Sequence, residues 1–197
     1  MTALWIAVAL LGVALIVLIG GAFALLAMGR LNLDLGWGRS LHELGPITMR
    51  IAAPRELVFE VISAPYLGRT PRALERKLRV LERSHDMVLA EHYTPVGPLV
   101  TTTLETVRFE PPERVHFRLA RGPVPSVVEE FHLREVDGGT ELDYRGELAT
   151  DLWLLGRLWG AAVSRTWEAT VQRSLDAIAT EAERRSAALS SAQSTTT

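Results

Sequence analysis

The sequence contains no cysteine. That removes disulfides, thiolate nucleophiles and cysteine-ligated zinc or iron–sulfur centres, without fixing a compartment. It is almost without lysine: of its 21 basic side chains only Lys77 is not arginine. With so many alanines beside it, this bias reflects coding composition rather than chemistry. A basic surplus is also missing, since the formal net charge is −2. Residues 1–39 hold Arg30 and Arg39 against Asp34, leaving the remainder at about −3. Neither part resembles a nucleic-acid binder, so no nucleic-acid partner is expected. There is no His-Glu-x-x-His or other ligand spacing, no Gly-rich phosphate loop, no nucleophile elbow and no kinase signature. Neither a metal nor a cofactor is therefore expected. The 197 residues suffice for one cored domain with an attached segment.

What is present begins with Leu4 to Met28, 25 consecutive residues without a charge or a proline. That length spans a hydrocarbon core of about 30 Å with some tilt. A cleaved signal peptide is the rival reading, but nothing basic precedes Leu4. Residues 1–29 are thus expected to be a single-pass anchor in the cell membrane. Arg30 and Arg39 both follow the span and place the C-terminal domain in the cytoplasm by the positive-inside bias. Gly21 and Gly29 could share a helix-docking face, which would make a membrane protein complex a possible partner. Residues 30–45 read as a linker near the membrane surface, with Trp37 at the headgroup level.

From Ile47 the apolar period changes to two. Ile47–Ile51 forms a short strand, and Ala53-Pro54 opens a helix carrying Leu57, Val58, Val61 and Ile62, stopped at Pro65. A second short helical or irregular piece covers 66–74. Six more strands are expected at Lys77–Arg83, Met87–Thr94, Leu99–Phe109, Arg114–Leu119, Ser126–Val136 and Thr140–Leu148, separated by turn residues such as Asp137-Gly138-Gly139. Short connections make them antiparallel. Leu142, Tyr144, Gly146 and Leu148 alternate with charged residues, as do Phe131 and Leu133 and the trio Val115, Phe117 and Leu119, giving one apolar face. Its cover is a long helix from Asp151, with Leu155, Leu158, Trp159, Ala162, Val163, Thr166, Trp167, Val171, Leu175, Ile178 and Ala182 at spacings of three and four. Thr150 or Asp151 is expected to cap it. The Trp-rich start, Leu152–Val163, is expected to be buried on several sides, with bilayer contact by its tryptophans as the alternative. Glu181 to Arg185 are expected to project beyond the sheet. Ser186 to Thr197 reads as a disordered tail.

The order strand, short helices, six hairpin-connected strands and long C-terminal helix resembles the SRPBCC superfamily. That superfamily holds the START domains, the pollen-allergen-like domains and the polyketide cyclase/dehydrase family. The residues carrying the likeness are Ile47–Ile51 with Ala53-Pro54-Arg55-Glu56-Leu57-Val58-Phe59, the Asp137–Leu142 hairpin, and the helix through Thr166–Ala182. The resemblance covers about 46–185 and implies an α+β helix-grip fold, a curved seven-stranded antiparallel sheet around the helix. It further implies an apolar cavity between them, lined here by Phe117, Phe131, Leu133, Leu142, Tyr144, Trp159, Ala162 and Trp167, for a hydrophobic small molecule such as a lipid, quinone or polyketide-like compound. Catalysis does not follow from it.

Three polar residues stand out as candidates for acid–base work. Glu129 shares parity with Val127, Phe131 and Leu133, and Tyr144 with Leu142 and Leu148, so a carboxyl and a phenol face the apolar side. A carboxyl placed there needs a partner or a raised pKa. His92 shares parity with Val88 and Ala90, although Leu89 and Tyr93 compete for that face. His85, His116 and His132 are expected in solvent, and His42 in the linker. Arg69, Arg72, Arg76, Lys77, Arg79 and Arg83 form a local basic cluster suited to anionic headgroups or simply to water.

Overall fold

The computed structural model describes residues 2–68, 74 and 76–194. Helix α1 (Thr2–Ala27) is followed by β1 (Ser40–Ile51), α2 (Arg55–Leu67), β2 (Leu78–Arg83), β3 (Met87–Val96), β4 (Leu99–Glu110), β5 (Arg114–Arg121), β6 (Ser126–Val136), β7 (Gly139–Thr150) and α3 (Trp153–Ser194). The strands form one seven-stranded sheet in the order β1-β7-β6-β5-β4-β3-β2. Every pairing is antiparallel, as the short turns demand. Only β1 is out of sequence order, added beside β7 at the far edge. Register shifts between Leu44 and Ile47, Val80 and Glu82, and Leu104 and Glu105 bend the strands. This is the expected α+β helix-grip architecture.

The alternation in β5, β6 and β7 decides which face is buried. Val115, Leu133, Leu142, Tyr144 and Leu148 are at most 1 % exposed, while Arg134, Arg145 and Glu147 face water. Helix α2 covers part of the inner face with Val58, Phe59 and Ile62. Helix α3 lies against β1, β7 and α2. Its Leu175 and Ala182 are fully buried, and Val163, Trp167, Val171 and Ile178 pack on the core from the same side.

Several expected boundaries change. The first strand starts at Ser40, so residues 40–45 belong to β1 rather than to a linker, paired from Ser40↔Thr150 onward. Helix α2 runs through Pro65 to Leu67, and most of the second piece expected at 66–74 lies outside the described residues. Helix α3 is 42 residues long, about 63 Å at 1.5 Å per residue. It continues through 186–194, which composition alone assigned to a disordered tail. Glu181–Arg185 remain engaged, since Glu183 accepts from the Ala52 amide at 3.0 Å and Arg185 reaches Glu60 at 3.4 Å. Asp151 does not cap α3. Its carboxylate accepts the Leu35 and Gly36 amides at 2.7 and 2.9 Å and Arg39 Nε at 2.9 Å.

Leu4–Ala27 is long and apolar enough to cross a membrane, and none of that window is buried against the rest of the chain. Its C-terminal end nevertheless docks on the domain. The Met28 carbonyl accepts from the Thr102 amide at 3.0 Å, the Ala27 carbonyl from Thr101 Oγ1 at 2.8 Å, and Phe23 meets Trp159 edge-on at 5.3 Å.

Candidate functional site

Polar side chains converge on the inner face of the sheet in two groups. In the first, strand parity brings Glu129 of β6 and Tyr144 of β7 inward together, and Tyr144 Oη donates to Glu129 Oε1 at 2.8 Å. From the opposite wall, Trp167 of α3 donates its indole N–H to the same oxygen. Glu129 is 7 % exposed. Burial pushes its carboxyl up to about 7, with the nearby Glu105 charge adding to the effect and the Tyr144 and Trp167 hydrogen bonds opposing it. Burial, then the Glu129 charge, raises the Tyr144 phenol, which stays protonated and serves as a donor.

The second group lies on β3 and β4. His92 Nδ1 is 3.2 Å from Glu105 Oε2, close enough for a charge pair. The Tyr66 hydroxyl at the end of α2 meets His92 Nε2 at 2.9 Å, and Thr103 donates to the other Glu105 oxygen. Burial opposes an imidazolium, but the Glu105 and Glu129 charges outweigh it, so His92 titrates above the ordinary histidine value. Burial likewise opposes the Glu105 carboxylate, and the His92 charge with the Thr103 hydrogen bond holds it below its ordinary value.

Aromatic rings join the two groups. Phe131 lies 5.7 Å from Tyr144, Phe117 5.2 Å from Phe131, and Tyr66 6.3 Å from Phe117, each edge-on. The interior is therefore an aromatic wall with a hydrogen-bonding group at either end. A surface concavity of about 360 Å³ is lined by Glu130, His132, Arg134, Asp143 and Arg145 on the outer face of the sheet, away from this chemistry. Another, about 180 Å³, flanks the β6–β7 turn. Neither is the cavity expected under α3.

The structure brings Glu129, Tyr144, Phe117, Phe131 and Trp167 together and places His92 in the neighbouring group. Leu133 and Leu142 pair across β6 and β7 deep in the core. Trp159 donates to the Pro123 carbonyl at 2.9 Å, tying α3 to the β5–β6 loop. Ala162 is a correction: it is exposed, and Val163 takes the inward position. Tyr66, Thr103 and Glu105 were missed by sequence reasoning. For Thr103 and Glu105 a signal existed, because they share parity with Val107 and Phe109. His42 belongs to β1, and its ring packs at Gly160 of α3. Arg83, one of the basic cluster, donates to the Tyr66 and Gly68 carbonyls at 2.7 and 3.0 Å; Arg69 and Arg72 lie outside the described residues.

The family model described as polyketide cyclase / dehydrase and lipid transport matches residues 47–183. The chain belongs to this family. No curated protein matches the sequence. Among solved structures, the chain is similar to the ZhuI aromatase/cyclase from Streptomyces sp. R1128, with 19 % identity, a TM-score of 0.60, and coverage of 75 % of this chain and 95 % of that one. It is also similar to TTHA0849 from Thermus thermophilus, at 17 % identity and a TM-score of 0.53, covering 76 % and 99 %. A START superfamily protein from Mycobacterium smegmatis follows at 13 % identity and a TM-score of 0.51, covering 73 % and 99 %. At these identities the likenesses establish the helix-grip fold of a polyketide cyclase/dehydrase and lipid transport family member, and the site's chemistry rests on the residues themselves.

Proposed function

We propose that this family member is a membrane-tethered binding module for a hydrophobic small molecule bearing a hydrogen-bonding oxygen. The observation that carries the reading is a buried carboxyl held near neutrality, Glu129, with two neutral donors on it and Phe117 and Phe131 alongside. Protonated, Glu129 donates to a ligand carbonyl; ionised, it accepts from a hydroxyl. The rings of Phe117 and Phe131 then take the apolar body, and the space opens by displacement of Trp167 and Tyr66, neither of which is fully enclosed. The exposed apolar α1 supports the tether, and the arginines after it support a cytoplasmic domain. In the test, full-length protein is purified in mild detergent and its extract read by mass spectrometry. A co-purified apolar compound that disappears in Glu129→Ala is expected, and protein empty under every extraction condition overturns the reading.

A second reading, an acid–base enzyme, is favoured by one observation: Glu129 at about 7 shares the interior with the His92–Glu105 pair, so a proton donor and a proton acceptor coexist near neutral pH. Its mark would be turnover of a β-hydroxyketone model compound that Glu129→Gln abolishes while the compound still binds. Binding without turnover in the unaltered protein returns the site to a carrier role.

A further inference from the structure

The first two turns of α3 are built inside out. Their positions facing the domain are Gly156 and Gly160, both buried, with half-buried Trp159 between them. A Cβ on Gly160 would sit 2.2 Å from the His42 ring, and one on Gly156 1.8 Å from the Asp151 carbonyl. The large apolar side chains point away: Trp153, Leu154, Leu155 and Leu158 are 64, 64, 69 and 64 % exposed. The segment preceding β1 continues this surface. The Leu152 amide donates to the Trp37 carbonyl at 2.7 Å and the Trp153 amide to the Gly38 carbonyl at 3.0 Å, so exposed Leu35 and Trp37 lie beside the helix start. Burial of the Trp-rich start on several sides, expected from its composition, is therefore corrected. Its glycines and Trp159 face the domain, and its leucines and Trp153 are left outside.

The position of this surface identifies its occupant. Phe23, in the last turns of α1, packs on Trp159, the residue after Leu158. The Ala27 and Met28 carbonyls are bonded to the start of β4 at the same end of the domain. The apolar face thus lies where the apolar α1 leaves the domain, and Arg30, Arg39 and Arg157 are exposed basic groups near it, with Arg39 ion-paired to the exposed Asp34. An amphipathic surface of leucine and tryptophan with arginine at its margin suits the boundary between headgroups and acyl chains. We infer that the start of α3 and the Leu35–Trp37 segment form a bilayer-lying face, so that the domain is seated in the lipid surface beside α1 rather than held clear of it. The inference rests on the tether reading above, since it takes α1 to be in the same membrane.

The chain lacks cysteine, so single probes can be placed without background. Leu155→Cys, Val13→Cys in α1 and Asp137→Cys at the β6–β7 turn are each labelled with an environment-sensitive fluorophore in full-length protein in phosphatidylcholine nanodiscs. Quenching by acyl-chain spin-labelled lipid is then compared with quenching by aqueous iodide. The probes at 13 and 155 are expected to be quenched severalfold more strongly by the lipid than the probe at 137, and to be protected from iodide. A lipid-quenched probe at 13 with an iodide-quenched probe at 155 overturns the inference and leaves the tether intact. A probe at 155 shielded from both quenchers also overturns it, in favour of a protein partner. Failure of lipid to quench the probe at 13 removes the tether reading and, with it, a face seated in lipid beside α1, whatever the probe at 155 shows.

Discussion

Glu105 and Glu129 are the same residue type on the same face of one sheet, 6 and 7 % exposed, yet their carboxyls are driven in opposite directions. Burial opposes ionisation of both. Glu105 has a cation, His92, at 3.2 Å, and the pair keeps it charged. Glu129 has a phenol and an indole, which stabilise its anion by hydrogen bonds but bring no charge, and it feels Glu105 as a like charge. The difference shows that neutral donors do not overcome burial here, whereas one imidazolium does. One carboxyl is consequently a fixed anion, and the other is free to exchange a proton.

The largest expected effect breaks the charged pair. His92→Ala strips Glu105 of its cation and costs on the order of 3 kcal/mol at neutral pH, read as a lowered urea midpoint. With its partner gone, burial raises the Glu105 pKa, so the loss shrinks as the pH falls and Glu105 protonates. Equal losses at every pH would show that the pair is not ionic.

Glu129→Gln comes next. A carboxyl raised in the folded state contributes fully below its ordinary value of 4.5 and loses that contribution as pH rises through about 7. The variant should therefore gain on the unaltered protein by on the order of 3 kcal/mol between those limits and stay level above them. Parallel stability curves would remove the raised titration.

Tyr144→Phe deletes one donor to Glu129 and should cost about 1 kcal/mol while moving the Glu129 carboxyl band in infrared titration to higher pH. The smallest effect is a shift of titration alone. Glu105→Gln removes the like charge and should move that Glu129 band to lower pH, and an unmoved band would separate the two groups electrostatically.

The sheet was legible because a period of two survives in β5–β7, and both Glu129 and Tyr144 follow from parity alone. His92 was ambiguous, because Leu89 and Tyr93 are as apolar as Val88 and Ala90, and only the pairing His92↔Thr103 fixes its face. Glu105 was passed over because Thr103 and Glu105 are polar, so the inward parity of β4 is masked at that end. Tyr66 was beyond reach, since its place depends on how α2 ends over β3. At the start of α3, leucine spacing suggested an inward stripe, but sequence spacing does not reveal which side of a helix has room, and the close approach of β1 at His42 leaves space there only for glycine.

The Asp151 carboxylate, gripping two amides and Arg39, also governs freedom of movement. The 12 residues between α1 and β1 would, as a loose chain, let their ends separate by about 20 Å in any direction. Clamped at Asp151 and again at Thr102, they act as a bracket instead of a leash. Whatever angle α1 adopts, the sheet adopts with it, and the aromatic wall keeps one fixed bearing to the helix axis.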